Sequence, residues 1–320
     1  MSTIRPPAVA GMFYPAEPGQ LAHDVQQLLA QARTNVSRPD DLIPNGQARF
    51  PLPNPLGETT SHSTRLPETA AKSLVIPQAG EGANESLREF RIKALIAPHA
   101  GYIYSGPIAA TAYATLLPVA SRIRRVVLLG PTHRVAVRGL ALPGADAFDT
   151  PLGRVMLDTA AASAIARLPQ VTVSAQAHAL EHSLEVHLPF LQSVLTDFTL
   201  LPLAVGMATA DEVAEVLEVL WGGEETLIVI SSDLSHYLPY ATAQRVDNET
   251  AQSILKLHQP IAHDHACGGT PVSGLIVAAQ RRHLTPHLLD LRNSGDTAGT
   301  RDQVVGYASF AFTEEDIRHD

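Results

Sequence analysis

The stretch RVVLLGPTH, residues 125–133, joins a run of apolar residues to a polar end that carries a histidine. Its apolar part is typical of a strand that is buried on both faces, and Pro131 prevents the strand from continuing. Two more stretches have this form, KALIAPH at 93–99 and TLIVISSDLSH at 226–236. Since helical patterns lie between the three stretches, they predict strands of a βαβ-rich sheet.

The same alternation continues along the rest of the chain. Further apolar runs at 199–205 and 304–312 predict two more strands. Apolar residues at helical spacing predict helices at 20–32, 107–117, 158–167, 182–195, 210–221, 242–257 and 271–282. We therefore expect an α/β protein whose sheet carries helices on its faces.

A segment rich in Pro, Asn, Ser, Thr and Gly interrupts this pattern from about residue 33 to residue 89. Too few residues precede it to form a domain, so we interpret it as a flexible insertion and not as a linker between two domains. The chain has 320 residues, which is enough for a sizeable core. The expectation is a single domain over residues 1–320 that contains the insertion at about 33–89.

Composition and charge narrow the classes of function. The net charge is −9, from 23 Lys and Arg against 32 Asp and Glu, so we expect neither nucleic acid nor an anionic membrane as a partner. The start of the chain lacks the apolar segment of a signal peptide, and no run approaches the ~18 apolar residues of a membrane span. One cysteine beside 14 histidines excludes a disulfide framework within the chain and fits a soluble protein of the reducing cytoplasm.

Histidines follow three of the predicted strands at the point where each strand ends. They are His99, His133 and His236. Ligands of open α/β sheets bind beyond the carboxyl ends of the strands, so we expect these side chains to line one crevice. For each histidine taken alone, a polar side chain that caps a loop is the alternative.

Cys267 lies just before a predicted helix that starts at Thr270 and Pro271. The positive end of the helix dipole lowers the pKa of a nearby thiol, so this position favours a thiolate. A small, buried apolar side chain is the alternative interpretation of a lone cysteine.

The segment HALEH, residues 178–182, matches the H-x-x-E-H pattern of certain zinc peptidases. That pattern requires one continuous helix, whereas residues 171–177 predict a strand followed by a loop. A zinc hydrolase therefore remains only as an alternative. We expect Glu181, His182 and Glu185 to support the crevice, with a solvated surface as the alternative for Glu185 and for His187.

Seven motifs follow one another along the chain: RPPAVAGMFYP (5–15), APHAGYIYSG (97–106), GPTHR (130–134), FDTPLG (148–153), EHSLEVHLPFL (181–191), SSDLSHY (231–237) and CGGTP (267–271). In this order they resemble the Memo family, also described as the B component of the AmmeMemoRadiSam system. The resemblance extends from Arg5 to about Phe312, apart from the insertion. The family is similar in fold to class III extradiol (LigB-like) dioxygenases, which implies a three-layer α/β sandwich with a central mixed sheet and one metal crevice.

The resemblance also implies roles for individual residues. His99, His133 and Cys267 match the three metal-binding positions of the family. Asp233 and His236 match a neighbouring polar pair, and we expect them to be catalytic, with His236 as acid or base and Asp233 orienting it. The residues expected to shape the pocket are Glu181, His182, Tyr102 and Gly268.

The expected ligand set differs from that of the dioxygenases, in which a carboxylate completes a two-histidine triad on Fe(II). A thiolate in its place makes the site softer, which suits one ion of Fe, Cu or Zn, with Fe as our first expectation. Two functions remain open: a metal-dependent redox or dioxygenase-like enzyme acting on a small molecule, and a non-catalytic metal-binding scaffold. The name of the system implies a radical SAM protein and an AMMECR-type protein as partners.

Overall fold

The computed structural model describes residues 3–35 and 90–315 of the chain. Within these residues the strands are β1 (Ile4–Arg5), β2 (Phe90–Ala97), β3 (Arg125–Pro131), β4 (Leu140–Leu142), β5 (Ala147–Thr150), β6 (Gly153–Met156), β7 (Val171–Val173), β8 (Thr199–Val205), β9 (Thr226–Ser231), β10 (His236–Leu238), β11 (Thr285–Asn293) and β12 (Val304–Glu315). The helices are α1 (Pro18–Asn35), α2 (Tyr102–Ala114), α3 (Thr159–Ile165), α4 (Ala175–Ala179), α5 (His182–Glu185), α6 (Leu188–Val194), α7 (Ala210–Leu220), α8 (Tyr240–Leu255) and α9 (Gly269–Arg282), with a short 3-10 helix at Ser294–Asp296.

A mixed, nine-stranded sheet forms the centre of the described fold, in the order β10-β12-β2-β9-β3-β8-β4-β7, with β11 paired to β12. Strands β2, β9, β3 and β8 run parallel to one another. Strand β12 is antiparallel to β2, and β4 is antiparallel to β8, so the sheet is mixed as expected. A separate three-stranded sheet has the order β1-β5-β6.

Side chains of the central strands pack alternately into two hydrophobic layers. Val126 and Leu128 of β3 belong to the layer that includes α1, α2 and α6. Val127 and Leu129 belong to the opposite layer, which includes α3, α7, α8 and α9. Because the side chains of a strand point alternately to its two faces, this division places helices on both sides of the sheet. The expected three-layer α/β sandwich is therefore confirmed.

The predicted strands are confirmed, and the helices differ from their predictions in three places. Residues 175–177, expected to form a loop, lie in the short helix α4. The helix predicted at 182–195 is broken into α5 and α6, since Pro189 near the start of α6 has no N–H to continue the earlier turn. Helix α2 begins at Tyr102, before the predicted 107–117, and contains Pro107 within it. The proposed insertion lies, from residue 36 onward, outside the described residues.

The parallel strands β2, β3 and β9 are neighbours in the sheet and end at the same edge. The loops after β2 and β3 carry His99 and His133, as the sequence predicts. The loop after β9 carries Asp233, and His236, the third histidine expected at this edge, begins strand β10. Within residues 3–35 and 90–315, no helix combines the length and the apolar character that crossing a membrane requires.

Candidate metal centre

His99 is buried at the carboxyl edge of the sheet, two residues after β2. Its Nδ1 atom lies 2.6 Å from the hydroxyl of Ser231, and that hydroxyl donates its proton to the Ser183 carbonyl at 2.6 Å. A serine hydroxyl has a single proton, so its oxygen must accept the bond from His99. The His99 ring therefore carries its proton on Nδ1 and leaves the lone pair of Nε2 available to a ligand.

His133 follows β3 and is fixed by Glu181 in the same way. The carboxylate accepts the His133 backbone N–H at 2.6 Å and lies 2.8 Å from Nδ1 of the ring. Burial alone would raise the pKa of Glu181, but its hydrogen bonds with His133 and the Ser183 N–H outweigh burial and lower that pKa to about 2. An ionised Glu181 accepts a hydrogen bond from the Nδ1–H group and leaves Nε2 of His133 as the free ligand atom.

His182 completes a cluster of three histidines at this edge. One ring nitrogen from each of His99, His133 and His182 lies within 4.8 Å of the others. The His182 ring stacks on that of His133 at a centroid distance of 4.6 Å and contacts Phe13 of the N-terminal segment at 4.7 Å. Burial and the neighbouring His133 lower the pKa of His182 to about 4, so the ring is neutral, as a metal ligand must be.

Cys267 lies on the other side of His99. Its Sγ is 3.4 Å from Nε2 of His99 and accepts the Asp233 backbone N–H at 3.3 Å. The expected lowering of the thiol pKa is wrong for the protein without metal. Burial and the adjacent Asp233 carboxylate raise the pKa of Cys267, and they outweigh the helix N-terminus that follows. A bound metal ion would remove the thiol proton directly.

Asp233 and His236 lie beside these ligands, but their relationship differs from the expectation. The Asp233 carboxylate accepts the His99 backbone N–H at 2.8 Å and a bond from the Ala100 backbone, so it shapes the loop after β2. The ring of His236 is oriented instead by the Leu234 carbonyl, 2.8 Å from its Nδ1. Because that carbonyl can only accept, Nδ1 of His236 carries the proton of this bond and Nε2 is left for other partners.

Two further predicted residues, Gly268 and Tyr102, hold backbone segments near the site in place. Gly268, just before α9, donates its N–H to Ser232 at 3.0 Å, and a Cβ on Gly268 would lie 2.5 Å from the Ser231 carbonyl. A glycine is therefore required for the Cys267 segment to approach the end of β9. Tyr102 is buried and donates its hydroxyl to the Val186 carbonyl at 2.7 Å, so it packs beneath the crevice.

The H-x-x-E-H interpretation does not fit the described residues. His178 belongs to the short helix α4, while His182 begins a separate helix, and Glu181 caps the start of that second helix. The Nε2 of His178 bonds to the Ala141 carbonyl at 2.7 Å in a buried position. The structure therefore does not bring His178 to the histidine cluster.

The N-terminal segment is anchored beside the site by Arg5, which the sequence did not single out, and by Glu185, which was expected to support the crevice. The fully buried Glu185 accepts from the side chain of Arg5 at 2.7 Å, from the backbone of Ala8 and Val9, and from the hydroxyl of Tyr14. Arg5 also donates to the carbonyl of Glu181 at 2.8 Å. The solvated alternative is therefore wrong for Glu185, and it is wrong for His187 as well, which is fully buried. The signal in the sequence that could have revealed this contact is the presence of Arg5 and Tyr14 in the otherwise apolar motif RPPAVAGMFYP.

Two cavities open beside the candidate ligands. The larger has a volume of about 620 Å³, and the smaller about 230 Å³. His133, His263 and Cys267 line both cavities, whereas His236 lines the larger. A ligand in either cavity would therefore lie next to the predicted metal-binding side chains.

The donor set fits a transition metal. Imidazole suits Fe, Cu and Zn, and a thiolate adds affinity for the softer of these ions. Two nitrogen ligands of one tetrahedral ion lie roughly 3.4 Å apart, so the three rings need only small shifts to meet a single ion. The buried carboxylate and hydroxyl that fix His133 and His99 are the supporting groups typical of metal-binding histidines.

Comparison with known proteins identifies relatives over most of the chain. A family model described as "Memo-like protein" matches residues 68–311. A MEMO1 family protein of Methanosarcina barkeri is 36% identical over 240 residues, covering 70% of this chain and 87% of the relative. A MEMO1 family protein of Methanopyrus kandleri is 32% identical over 323 residues, covering 96% and 98%.

A crystal structure of an uncharacterized protein from Escherichia coli K12 is also similar, at 17% identity and a TM-score of 0.41, covering 68% of this chain and 99% of that one. Similarity at that level adds nothing about this chain, and the likeness to extradiol dioxygenases stays a prediction. The family model covers well over half of the sequence, and the archaeal relatives align with most or nearly all of it. The chain belongs to the family of Memo-like proteins.

Proposed function

We propose that this protein is a metal-dependent enzyme of the redox or dioxygenase-like type, with one metal ion held by His99, His133 and Cys267. The observation that carries the proposal is the fixed protonation of the two histidines. Ser231 and Glu181 each occupy an Nδ1 atom and leave Nε2 as the free ligand atom. Cys267 Sγ lies 3.4 Å from Nε2 of His99, within reach of an ion bound there, although it is not among the donors of the three-histidine cluster.

His182 is the competing third ligand, because its ring belongs to the same cluster of nitrogens. We favour Cys267, since its half-buried Sγ lies 3.4 Å from Nε2 of His99 and the residue lines both cavities together with His133. His182 then packs between His133 and Phe13 and limits the space around the ion.

The remaining residues suit a reaction on a small molecule. Bound iron or copper would supply redox chemistry at the open side of the site, with iron as the first choice. His236 lines the larger cavity, and its Nε2, which the Leu234 carbonyl does not engage, would take a proton from a substrate. The buried Asp233 holds the loop that carries His99 and keeps the first ligand in place.

Metal analysis of protein purified without oxygen tests the proposal. We expect about one ion per chain, a loss of metal in His99→Ala, and no loss in the exposed control His258→Gln. Replacement of the ion by Co²⁺ should give a thiolate charge-transfer band that disappears in Cys267→Ser. A protein without metal would overturn the proposal. If the protein binds metal, shows no thiolate band and loses the metal in His182→Asn, then His182 is the third ligand.

A non-catalytic metal-binding module is the second candidate. One observation favours it: the donor cluster that the described residues form consists of three histidines, and no carboxylate belongs to it as in the dioxygenase triad. Such a module would work with a radical SAM protein and an AMMECR-type protein. Oxygen uptake with a panel of catechols and other reductants separates the two, since sustained turnover abolished by Cys267→Ser excludes a pure scaffold.

A further inference from the structure

His263 occupies a position that the two cavities share. Three residues line both cavities, and they are His133, His263 and Cys267. His133 and Cys267 are proposed metal ligands, whereas His263 has no part in the proposed centre. An ion that enters through either cavity would therefore find the His263 side chain beside its route to Cys267.

The exposure of the side chains gives the order in which an entering ion would reach them. His263 and Asp264 are exposed, and His265 and Cys267 are half-buried. His99 is only 2% exposed. Asp264 and His265 also line the larger cavity. Residues 263–265 therefore lie at the solvent end of a series of donor groups that ends at His99.

A hydrogen-bonded turn fixes residues 263–265 on the cavity wall. The N–H of His265 donates to the Ala262 carbonyl at 3.0 Å. Just before the turn, the N–H of Ile261 donates to the Ser273 hydroxyl of α9 at 2.9 Å. The turn is thus attached to the helix that follows Cys267, so its side chains keep their place beside the candidate ligands.

The ring of His263 has one defined polar partner. Its Nε2 lies 3.1 Å from the Thr270 hydroxyl. That hydroxyl can accept the Nε2 proton, and Nδ1 of the ring is then available to an ion. A partner that engages one ring nitrogen and leaves the other free is typical of metal-binding histidines.

The donor groups of the turn suit a divalent transition-metal ion. Imidazole is a ligand of Fe, Cu and Zn, and the Asp264 carboxylate adds a charge that attracts a cation. No lysine or arginine lines either cavity. Across residues 3–35 and 90–315, no third close donor completes a metal-binding group with His263 and His265. A site with so few ligands releases an ion readily, as a transient site must.

We propose that His263 and His265, assisted by the Asp264 carboxylate, form an entry site that captures a divalent transition-metal ion and passes it to the candidate metal centre. The proposal rests on the proposed function, because the captured ion is the one that the centre holds. The ion exchanges its ligands and keeps its oxidation state. The thiol of Cys267 loses its proton to solvent as the sulfur binds the ion.

An entry site changes the rates of metal binding and release, and it leaves the affinity of the inner site unchanged. Stopped-flow mixing of the metal-free full chain with Co²⁺, followed by the visible absorption of the bound ion, measures uptake. Transfer to excess chelator measures release. We expect the double variant His263→Gln/His265→Gln to slow both rates by roughly 10-fold or more, with the dissociation constant of the wild type. The control His23→Gln/His258→Gln removes two exposed histidines that line neither cavity, and it should behave as the wild type.

Two results of this experiment would overturn the proposal. Unchanged rates in the double variant would show that the ion does not use these histidines. Faster release with a weaker equilibrium affinity would make one of them a permanent ligand of the centre.

A second experiment observes the entry site without the inner one. In His99→Ala we expect weak binding of Co²⁺, seen as paramagnetic broadening of the ring NMR signals of His263 and His265. If these signals do not broaden, the entry site is contradicted alone. A wild-type protein that binds no ion tightly contradicts the proposed function instead.

Discussion

Glu181 holds His133 at two points, since it accepts the backbone N–H at 2.6 Å through one oxygen and lies 2.8 Å from the ring Nδ1 through the other. Replacement of this carboxylate with an amide removes the negative charge that fixes the ring proton. We expect Glu181→Gln to weaken metal binding by roughly 10- to 100-fold, as is usual for groups that orient metal-binding histidines. Competition with a chelator measures the effect, and the exposed Glu249→Gln is the matched control. An affinity equal to that of the wild type would show that His133 is not a ligand.

Gly268 allows the Cys267 segment to lie against the end of β9. A methyl group at this position would lie 2.5 Å from the Ser231 carbonyl and 2.7 Å from the Ser232 side chain. We therefore expect Gly268→Ala to lower the free energy of unfolding by about 1–3 kcal/mol and to weaken metal binding by displacing Cys267. Gly101→Ala is the control, because the nearest atom to its added methyl group is 3.6 Å away. Similar unfolding curves for both variants would contradict this view of the contact.

The ion pair between Arg5 and Glu185 is fully enclosed, with side-chain exposures of 5% and 0%. Arg5→Met leaves the carboxylate buried without its cation, and we expect a loss of about 3–5 kcal/mol in the free energy of unfolding. Adding Glu185→Gln should restore part of this loss, because it removes the unpaired charge. Urea denaturation of the single and double variants measures both effects. Arg154→Met, at an exposed pair, should cost less than about 1 kcal/mol.

His187 is fully buried, so its protonation affects the stability of the fold. Burial lowers its pKa to about 3, while its Nδ1 lies 2.9 Å from the Tyr113 hydroxyl. Because the unfolded chain has a histidine pKa near ~6.5, it binds more protons than the folded protein below that pH, so stability falls as the pH drops from about 6.5 toward 3. Between pH 7 and pH 5 this one residue should remove about 2 kcal/mol.

His187→Phe should therefore show a smaller loss of stability between pH 7 and pH 5 than the wild type, by about that amount. Urea denaturation at the two pH values provides the measurement. The exposed His258→Gln should keep the pH dependence of the wild type. An identical dependence in His187→Phe would mean that the ring is already protonated in the folded protein at pH 5.

The sequence predicts the sheet edge better than it predicts the contacts there. An apolar run followed by proline or a polar loop marks a strand end, and parallel strands end together, so His99 and His133 could be placed near one another. The place of His182 depends on the break between α4 and α5, where Glu181 caps the second helix. Spacing along the chain does not reveal that break.

The chemistry of individual groups was harder to predict, because it depends on burial and on backbone partners. The helix that follows Cys267 favours a thiolate, yet enclosure beside Asp233 raises the pKa of the thiol. Asp233 accepts a hydrogen bond from the His99 backbone, whereas the ring of His236 is hydrogen-bonded to the Leu234 carbonyl. Both outcomes follow from the geometry of loops, for which a single sequence carries little periodic signal.

The candidate ligands come from distant parts of the chain, and His99 and Cys267 are 168 positions apart. An unfolded chain cannot hold these groups together, so an ion that binds them binds the folded state alone. At a free concentration of 100 times its dissociation constant, such an ion would stabilise the fold by about 2.7 kcal/mol. The supply of metal would then govern the abundance and turnover of the protein as well as its chemistry, and starvation for the ion would select it for proteolysis.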